Sequence, residues 1–343
     1  MNLKQLAGHL GLSQATVSRA LNNYPGTRLE TRARVLAAAE RFGYRASSIA
    51  RGLATGQATA RSGNIGIVFP VGSSLLLDPH FLEFLIGATQ FAATQDMCVN
   101  LSTPARADEM GRYPRMIRQR QADGFILNGP TLDDPRLAML QEMRVPFVVH
   151  GRYRADTPYA WLDIDNEGAI RRATQLLIQL GHRRITLIGA PVQFTFAADR
   201  ESGYRQGHAE SGIGVDPALV FAGQMTEENG YRFASQALAA SPRPTAFLCS
   251  SMLSALGTMR ALSHAGLRVP QDCSVIAHDD VFPYVSAEGM HPALTTTRSP
   301  IREHGRRLAE ILGQIAEGAL PVDHHELLDV DLVVRDSTAQ CRT

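Results

Sequence analysis

Ser13-Gln14-Ala15-Thr16-Val17-Ser18-Arg19-Ala20-Leu21-Asn22 is the stretch on which the reading of this chain turns. Val17 and Leu21 lie four residues apart and share one face of a helix, leaving Gln14, Ala15, Ser18 and Arg19 free. Ser13 is placed to cap that helix. Upstream, Leu3, Leu6, Ala7 and Leu10 recur at helical spacing, and Gly11 offers the positive φ that ends a helix sharply. Two helices therefore meet across a tight turn, and the second has a polar face that a major groove can receive. Arg19 can donate two parallel hydrogen bonds to guanine, Gln14 can pair with adenine, and Ala15 can touch a thymine methyl. The alternative is a helical hairpin inside a larger helical domain, with Arg19 and Gln14 merely solvated.

Charge argues against that alternative. Residues 1–61 hold nine basic side chains against two acidic ones, a net of +7, so the rest carries −6 in a chain of net charge +1. A basic end on a near-neutral chain suggests a nucleic-acid module joined to a body with another task, its affinity supplied by salt-sensitive phosphate contacts. Thr27 and Glu30 read as a capping box opening a third helix, with Leu29, Ala33 and Leu36 as its inward stripe and Gly43 as its stop. Residues 47–55, with Ile49, Ala50 and Leu53, form a further helical possibility too short to stand alone in water. The small, polar residues 57–63 read as a linker.

At this point the chain resembles the LacI/GalR family of bacterial transcription regulators. Residues 12–22 are similar to the family's recognition helix, and Arg41, Gly43, Tyr44, Ala50, Arg51 and Leu53 to its third helix and hinge; Ala46-Ser47 replaces the usual Pro-Asn before the hinge. The resemblance implies a homodimer on a roughly palindromic double-stranded operator. Ser13, Gln14, Ala15, Thr16, Ser18, Arg19 and Asn22 would contact DNA, and paired Leu53 side chains would wedge into the minor groove. The family's commonest behaviour is repression released by an inducer, though some members use a corepressor and some activate.

Beyond residue 63, pattern alone gives short apolar strands at 65–69, 125–127, 147–149, 185–188, 246–248 and 275–277, separated by amphipathic segments. That alternation predicts parallel, doubly wound sheets, and the length suits two of them with a ligand cleft between. Asp123-Gly124-Phe125-Ile126, Val145-Pro146, Asp165-Asn166, Leu180-Gly181-His182-Arg183-Arg184-Ile185 and Leu294-Thr295-Thr296 follow the order of the family's regulatory body, shaped like a two-lobed periplasmic sugar-binding protein. The expected architecture is thus a small all-α helix-turn-helix domain (1–46), a hinge helix and linker (47–62), and an α/β two-lobed effector domain (63–343). Lobe one is expected at about 63–163 and 293–321, lobe two at about 164–292 and 322–337.

The same resemblance implies effector contacts from Arg200, in the Arg-x-x-Gly pattern ending at Gly203, and from Asp279 after the strand at 275–277. Asp163 and Phe81 are further candidates, the latter closing Asp78-Pro79-His80-Phe81 in what is similar to a ligand-facing loop. Ser251-Met252 stands where the family commonly has Asn-Asp; Ser251 can supply one hydroxyl, whereas Met252 cannot replace the carboxylate. Met225 occupies a position where some members present an aromatic platform, and reads as apolar packing. The first part of the chain, with Asp78 to Phe81 and Glu83-Phe84, is most similar to repressors of α-glucoside operons, implying a neutral sugar effector.

Other classes fit less well. A periplasmic sugar-binding protein shares the two-lobed body, but residues 1–25 lack a charged start, apolar core and cleavage site. An α/β enzyme needs a reactive constellation, and no Gly-x-Ser-x-Gly elbow, phosphate loop, His-Glu-x-x-His or Gly-x-Gly-x-x-Gly follows a strand. No catalytic residue, metal or cofactor is therefore expected. Strand neighbours His324 and His325 would point to opposite faces and could not ligate together. Cys98, Cys249, Cys273 and Cys341 have no paired spacing and read as small core residues of a cytoplasmic protein. Apolar runs fall short of the roughly 20 residues a membrane span needs.

Overall fold

The structure is a computed structural model describing residues 3–21, 26–42, 63–70, 72, 78–153, 157–278, 281 and 285–342. Residues 47–62 of the expected hinge, with Leu53, and also Asn22, Gly43 and Asp279 lie outside the described residues.

Helices α1 (Leu3–Leu10), α2 (Gln14–Leu21) and α3 (Leu29–Arg41) form the N-terminal unit. Leu6, Ala7, Val17, Ala20, Val35 and Ala39 make its core, flanked by Leu3, Leu10, Leu21 and Phe42. Gly11 turns with φ +64°, and Ser13 Oγ accepts the Thr16 N–H at 3.1 Å, as the sequence predicts. The third helix differs. It starts at Leu29 with Arg28 at its N-cap and no side-chain cap, so Glu30 stands one position too early for a capping box. Its inward stripe is Val35, Ala38, Ala39 and Phe42, while Leu29 and Leu36 are exposed.

The body holds two six-stranded sheets among the described residues. Sheet one begins with β1 (Asn64–Val68), α4 (Pro79–Thr94), β2 (Cys98–Ser102), α5 (Glu109–Arg118), β3 (Gly124–Asn128), α6 (Pro135–Glu142), β4 (Phe147–His150) and β5 (Trp161–Ile164). The chain then crosses into α7 (Asn166–Gln179), β6 (Ile185–Gly189), α8 (Thr195–Glu210), β7 (Val220–Ala222), α9 (Glu227–Leu238), β8 (Ala246–Cys249), α10 (Met252–His264) and β9 (Ser274–Ala277). It ends with β10 (Thr295–Arg298), α11 (Ile301–Glu317), β11 (His325–Leu328) and β12 (Asp331–Val333). The sheet orders are β11-β5-β4-β3-β1-β2 and β12-β10-β9-β8-β6-β7, parallel throughout except for β12, an antiparallel edge.

Two segments at the crossovers lie in the opposite lobe from the one expected. The segment 295–298, expected in lobe one, is a strand of sheet two, and 325–328, expected in lobe two, pairs with β5 in sheet one. The chain therefore changes lobe between β5 and α7, between β10 and α11, and between β11 and β12. Arg172 ties two of these crossings by donating to the Val330 carbonyl at 2.8 Å, and Asp165 N–H donates to Leu328 O at 2.9 Å.

Apolar layers cover both faces of each sheet. In lobe one, α4 and α11 close one core around Ile67, Ile126, Leu162 and Leu308, and Tyr113, Met116 and Leu140 close another around Phe125 and Leu127. Cys249 and Cys273 are buried as expected, whereas Cys98 is exposed at the start of an edge strand. No helix of the described residues is long and apolar enough to cross a membrane.

Candidate nucleic-acid interface and interlobe cleft

Packing of Val17 and Ala20 against α1 and α3 turns the other side of α2 outward. Gln14, Ala15 and Arg19 are exposed, and Thr16 and Ser18 are half-buried. Thr16 Oγ1 lies 2.9 Å from Ser13 Oγ, so those two hydroxyls pin the first turn of the helix. Gln14 and Arg19 thus lie on an outward surface supported by a rigid helix pair. Replacing Arg19 by alanine is expected to cost about 1–3 kcal/mol at the specific DNA site and to relax base preference there. Fluorescence anisotropy on selected and random duplexes checks this, since equal losses on both would remove Arg19 from base reading.

A cleft separates the two sheets at the carboxyl ends of their strands, where ligands of open α/β folds bind. Its inner cavity has a volume of about 150 Å³. A single water needs only about 10–15 Å³, so the space admits a ring-sized organic molecule. Past Phe69, Asn128 and Gly129 the cleft continues into a wider chamber of about 560 Å³, bordered by Glu109, Arg136, Gln193 and Gln224. Backbone hydrogen bonds join the lobes between the two spaces: Leu132 N–H donates to Gln193 O (3.0 Å) and Thr195 N–H to Pro130 O (3.1 Å).

Phe81, Asp163, Arg200 and Ser251 all line the inner cavity, but each in its own way. Phe81 belongs to the first turn of α4 rather than to a loop, because Asp78 caps that helix by accepting the His80 N–H (3.0 Å) and Pro79 opens it. Its ring meets Phe69 edge-on at 4.7 Å and stacks near Phe84 at 6.0 Å. Arg200 is buried rather than a surface residue: Nε donates to Asn166 Oδ1 (2.8 Å), Nη1 to the Ser250 carbonyl (3.0 Å), and its guanidinium lies over the Phe196 ring.

Asp163 is held by three donors. Its carboxylate accepts from Arg152 Nε (2.8 Å), from the Ile164 N–H (2.8 Å) and from Asn166 Nδ2 (3.3 Å). Burial pushes its carboxyl above the usual range, with Arg152 pulling the other way. Arg152 also reaches Asp199 across the lobes at 3.4 Å. The Ser251 hydroxyl is committed to capping α10, accepting the Ser254 N–H (3.2 Å) and donating to Ser254 Oγ (3.1 Å). Met252 is fully buried in the core of lobe two. Met225, read as packing, borders the cavity. His324 and His325 diverge as expected, one donating to Glu326 (2.7 Å) and the other stacking on Trp161 (4.7 Å).

Sequence reading quotes His80 only as part of the loop before Phe81 and passes over His150, His278 and His304. His80, His150, His278 and His304 all border the inner cavity, spread across four separate segments, so no motif spacing signals them. Burial holds His150 at about 3, with His304 adding repulsion, and burial holds His304 at about 4 against the upward pull of Glu303; His278, His182 and His208 are also lowered by burial. Folded values below the unfolded value of about 6.5 mean that the unfolded chain takes up protons first as pH falls. The stability these groups contribute is full above pH 6.5 and is lost as pH drops towards 4. Asp163 and Glu109, raised by burial, act in the opposite sense but only near the carboxylate range. Thermal melts between pH 7 and 5 should therefore show a falling midpoint; a flat or rising one would show that these histidines are not buried neutral.

Comparison with known proteins places both units. Residues 2–47 match the model described as bacterial regulatory proteins, lacI family, and residues 174–338 match a periplasmic binding protein-like domain. The HTH-type transcriptional regulator AglR of Rhizobium meliloti (strain 1021) is 44% identical, over 98% of this chain and 94% of that protein. A structure of the transcriptional regulator CelR in complex with cellobiose is 29% identical with a TM-score of 0.73, covering 98% of this chain and 99% of that one. The lac repressor dimer bound to operator and the anti-inducer ONPF is 26% identical with a TM-score of 0.84, covering 99% of each chain.

Proposed function

The chain belongs to the lacI family of bacterial regulatory proteins, and from that premise we propose that a neutral sugar held in its interlobe cleft controls how tightly its paired α2 helices hold an operator. It is a DNA-binding transcriptional regulator acting as a homodimer on palindromic DNA. The observation that carries the sugar reading is the cleft itself: a ring-sized cavity at the strand ends, walled by Phe69, Phe81 and Phe84 on one side and by Arg200 and Ser250 on the other.

In this reading residues 1–46 read DNA, 47–62 connect, and the remaining body binds effector, with Gln14 and Arg19 at base edges. Phe81, Arg200 and Met225 border the effector, and Asp163 acts through Asn166 and Arg152. An α-glucoside is the leading class, and the wider chamber gives a second sugar ring or an aglycone somewhere to lie. Mechanistically, ligand closing on both lobes shifts a two-state equilibrium of the lobe joined to the DNA reader, by no more than its differential affinity for the two states. No catalytic step enters this mechanism.

Thermal melts of the purified protein with maltose, trehalose, sucrose and cellobiose, and with nucleosides, amino acids and phosphosugars, test the sugar reading. A ligand at about 100 times its dissociation constant adds roughly 2.7 kcal/mol. A clear rise with one neutral glucoside is the expected result. A rise only with nucleosides, amino acids or phosphosugars would overturn it.

A further inference from the structure

Charged groups at the inner cavity are already matched. Asp163 is paired with Arg152, Asp78 with His80 at 2.9 Å, and Arg200 donates to Asn166 and to Ser250 O. Among the groups left there without a hydrogen-bond partner are Asn128 Nδ2, Ser250 Oγ, and both ring nitrogens of His304. All three residues are at least nine-tenths buried, and all three border the same cavity. A buried polar atom without a partner costs about 1–3 kcal/mol, so natural proteins leave such atoms where something else satisfies them.

We propose that Asn128, Ser250 and His304 form a neutral hydrogen-bonding patch that reads the hydroxyl groups of the effector, with His304 as its chief specificity-determining residue. This rests on the sugar reading given above. The geometry is built from both lobes. Asn128 ends β3, and its Oδ1 accepts from His150 Nδ1 at 2.8 Å, which turns the amide group's remaining donors away from that ring. His150 in turn stacks on Phe84 at 5.1 Å and meets the His304 ring edge-on at 5.7 Å. Ser250 follows β8 in the opposite lobe.

The chemistry of the patch selects its ligand. A neutral imidazole has one donor and one acceptor nitrogen, a serine hydroxyl can do both, and the amide nitrogen only donates. A sugar hydroxyl likewise donates and accepts, so a pair of neighbouring hydroxyls can satisfy the set. A phosphate or carboxylate accepts only, would leave the acceptor nitrogen of His304 unpaired, and would find no uncommitted cation among the described residues of the inner cavity to balance its charge. Burial favours the uncharged imidazole throughout the physiological range. The described residues also contain no cluster of three or more histidine, cysteine or acidic side chains placed to hold a metal ion.

Isothermal titration of the full-length protein tests the patch. Wild-type protein and the variants His304→Leu and Ser250→Ala are titrated with the neutral glucoside that gives the largest melting shift in the panel, and with glucose 6-phosphate and gluconate. The thermal midpoint of each unliganded protein is recorded in parallel. Expected are at least tenfold weaker glucoside binding by His304→Leu and by Ser250→Ala, no measurable binding of either anion by wild type, and an unliganded midpoint for His304→Leu equal to or above wild type. That combination separates the patch from ordinary packing, because removing an unsatisfied buried group relieves the fold while harming the ligand. Wild-type affinity in both variants, or a lowered unliganded midpoint for His304→Leu with unchanged affinity, would overturn the proposal while leaving the sugar reading intact. Failure of every neutral glucoside with wild type would overturn the sugar reading and this inference with it.

Discussion

Replacing Arg200 by lysine is expected to weaken effector binding by about a hundredfold or more, and Arg200→Ala is expected in addition to destabilise the fold by about 3 kcal/mol. The two variants separate what the side chain does. Arg200 donates to Asn166 on the first crossover and to the Ser250 carbonyl at the edge of lobe two, so its planar fork fixes two walls of the cavity at once. Lysine keeps the charge but is a point donor and cannot hold both walls in that geometry. Alanine leaves two buried acceptors without their charged donor, and hydrogen bonds to charged groups contribute about 1.5–3 kcal/mol each. Calorimetric titration with the active sugar, together with urea melts, reads both effects. Full affinity in Arg200→Lys would remove the guanidinium from effector recognition.

Gly305→Ala should destabilise the protein by about 3 kcal/mol or more, whereas Gly313→Ala on the same helix should leave it unchanged or raise stability by up to about 1 kcal/mol. A β-carbon on Gly305 would lie 1.9 Å from the Phe84 carbonyl oxygen, and one on the facing Gly87 would lie 1.8 Å from Arg302 O. The obstacle is backbone on both sides, so α4 and α11 would have to part. Gly313 has nothing within 4 Å of such a carbon. The same contact sets the cleft, since Phe84 and His304, neighbours of the touching backbones, both border the cavity. The pattern repeats in lobe two: a β-carbon would lie 2.1 Å from Glu167 O at Gly203 and 1.9 Å from Glu227 O at Gly257. Urea denaturation of the paired variants decides the matter; equal stability of Gly305→Ala and Gly313→Ala would refute the close-contact account.

These glycines also show how far a sequence can be read. Arg200 to Gly203 is legible as a motif, but that the arginine faces the cavity while the glycine lets α8 settle on the backbone of α7 needs the fold. The six central strands are legible because they are short, mainly apolar runs, largely buried on both faces. β10 is not, because Thr295, Thr296 and Thr297 are polar by composition yet fully buried. Their burial is tolerated because partners come from distant segments: Thr295 N–H donates to Ser337 Oγ (2.8 Å), Arg335 Nη1 to Thr296 Oγ1 (2.7 Å), and Thr297 Oγ1 lies 2.7 Å from His278 Nδ1. Missing that strand misplaces the second and third lobe crossings together. The error on α3 has a different source. Leu29, Ala33 and Leu36 suit a helical stripe, but so do Val35, Ala39 and Phe42, and only the neighbouring helices decide which face is inward.

At the cleft, residue type carries some of the signal and topology the rest. An arginine in a motif and an aromatic beside Asp-Pro-His stand out in a linear chain. Asn128, Ser250 and His304 do not, since each is an ordinary residue at the end of a strand or early in a helix, and they converge only when both lobes are assembled. Ser251 stands out over Ser250 in the sequence because it opens the Ser-Met pair, yet helix capping takes its hydroxyl and leaves the preceding one.

The central claim is coupling between the cleft and the DNA-reading helix, and the most direct measurement is the operator affinity of the full-length protein with and without saturating neutral glucoside, paired with the glucoside affinity with and without operator. Linkage requires both to change by the same factor, expected between about 5 and 150 for a coupling of about 1–3 kcal/mol. A sugar that binds while leaving operator affinity unchanged would contradict the account.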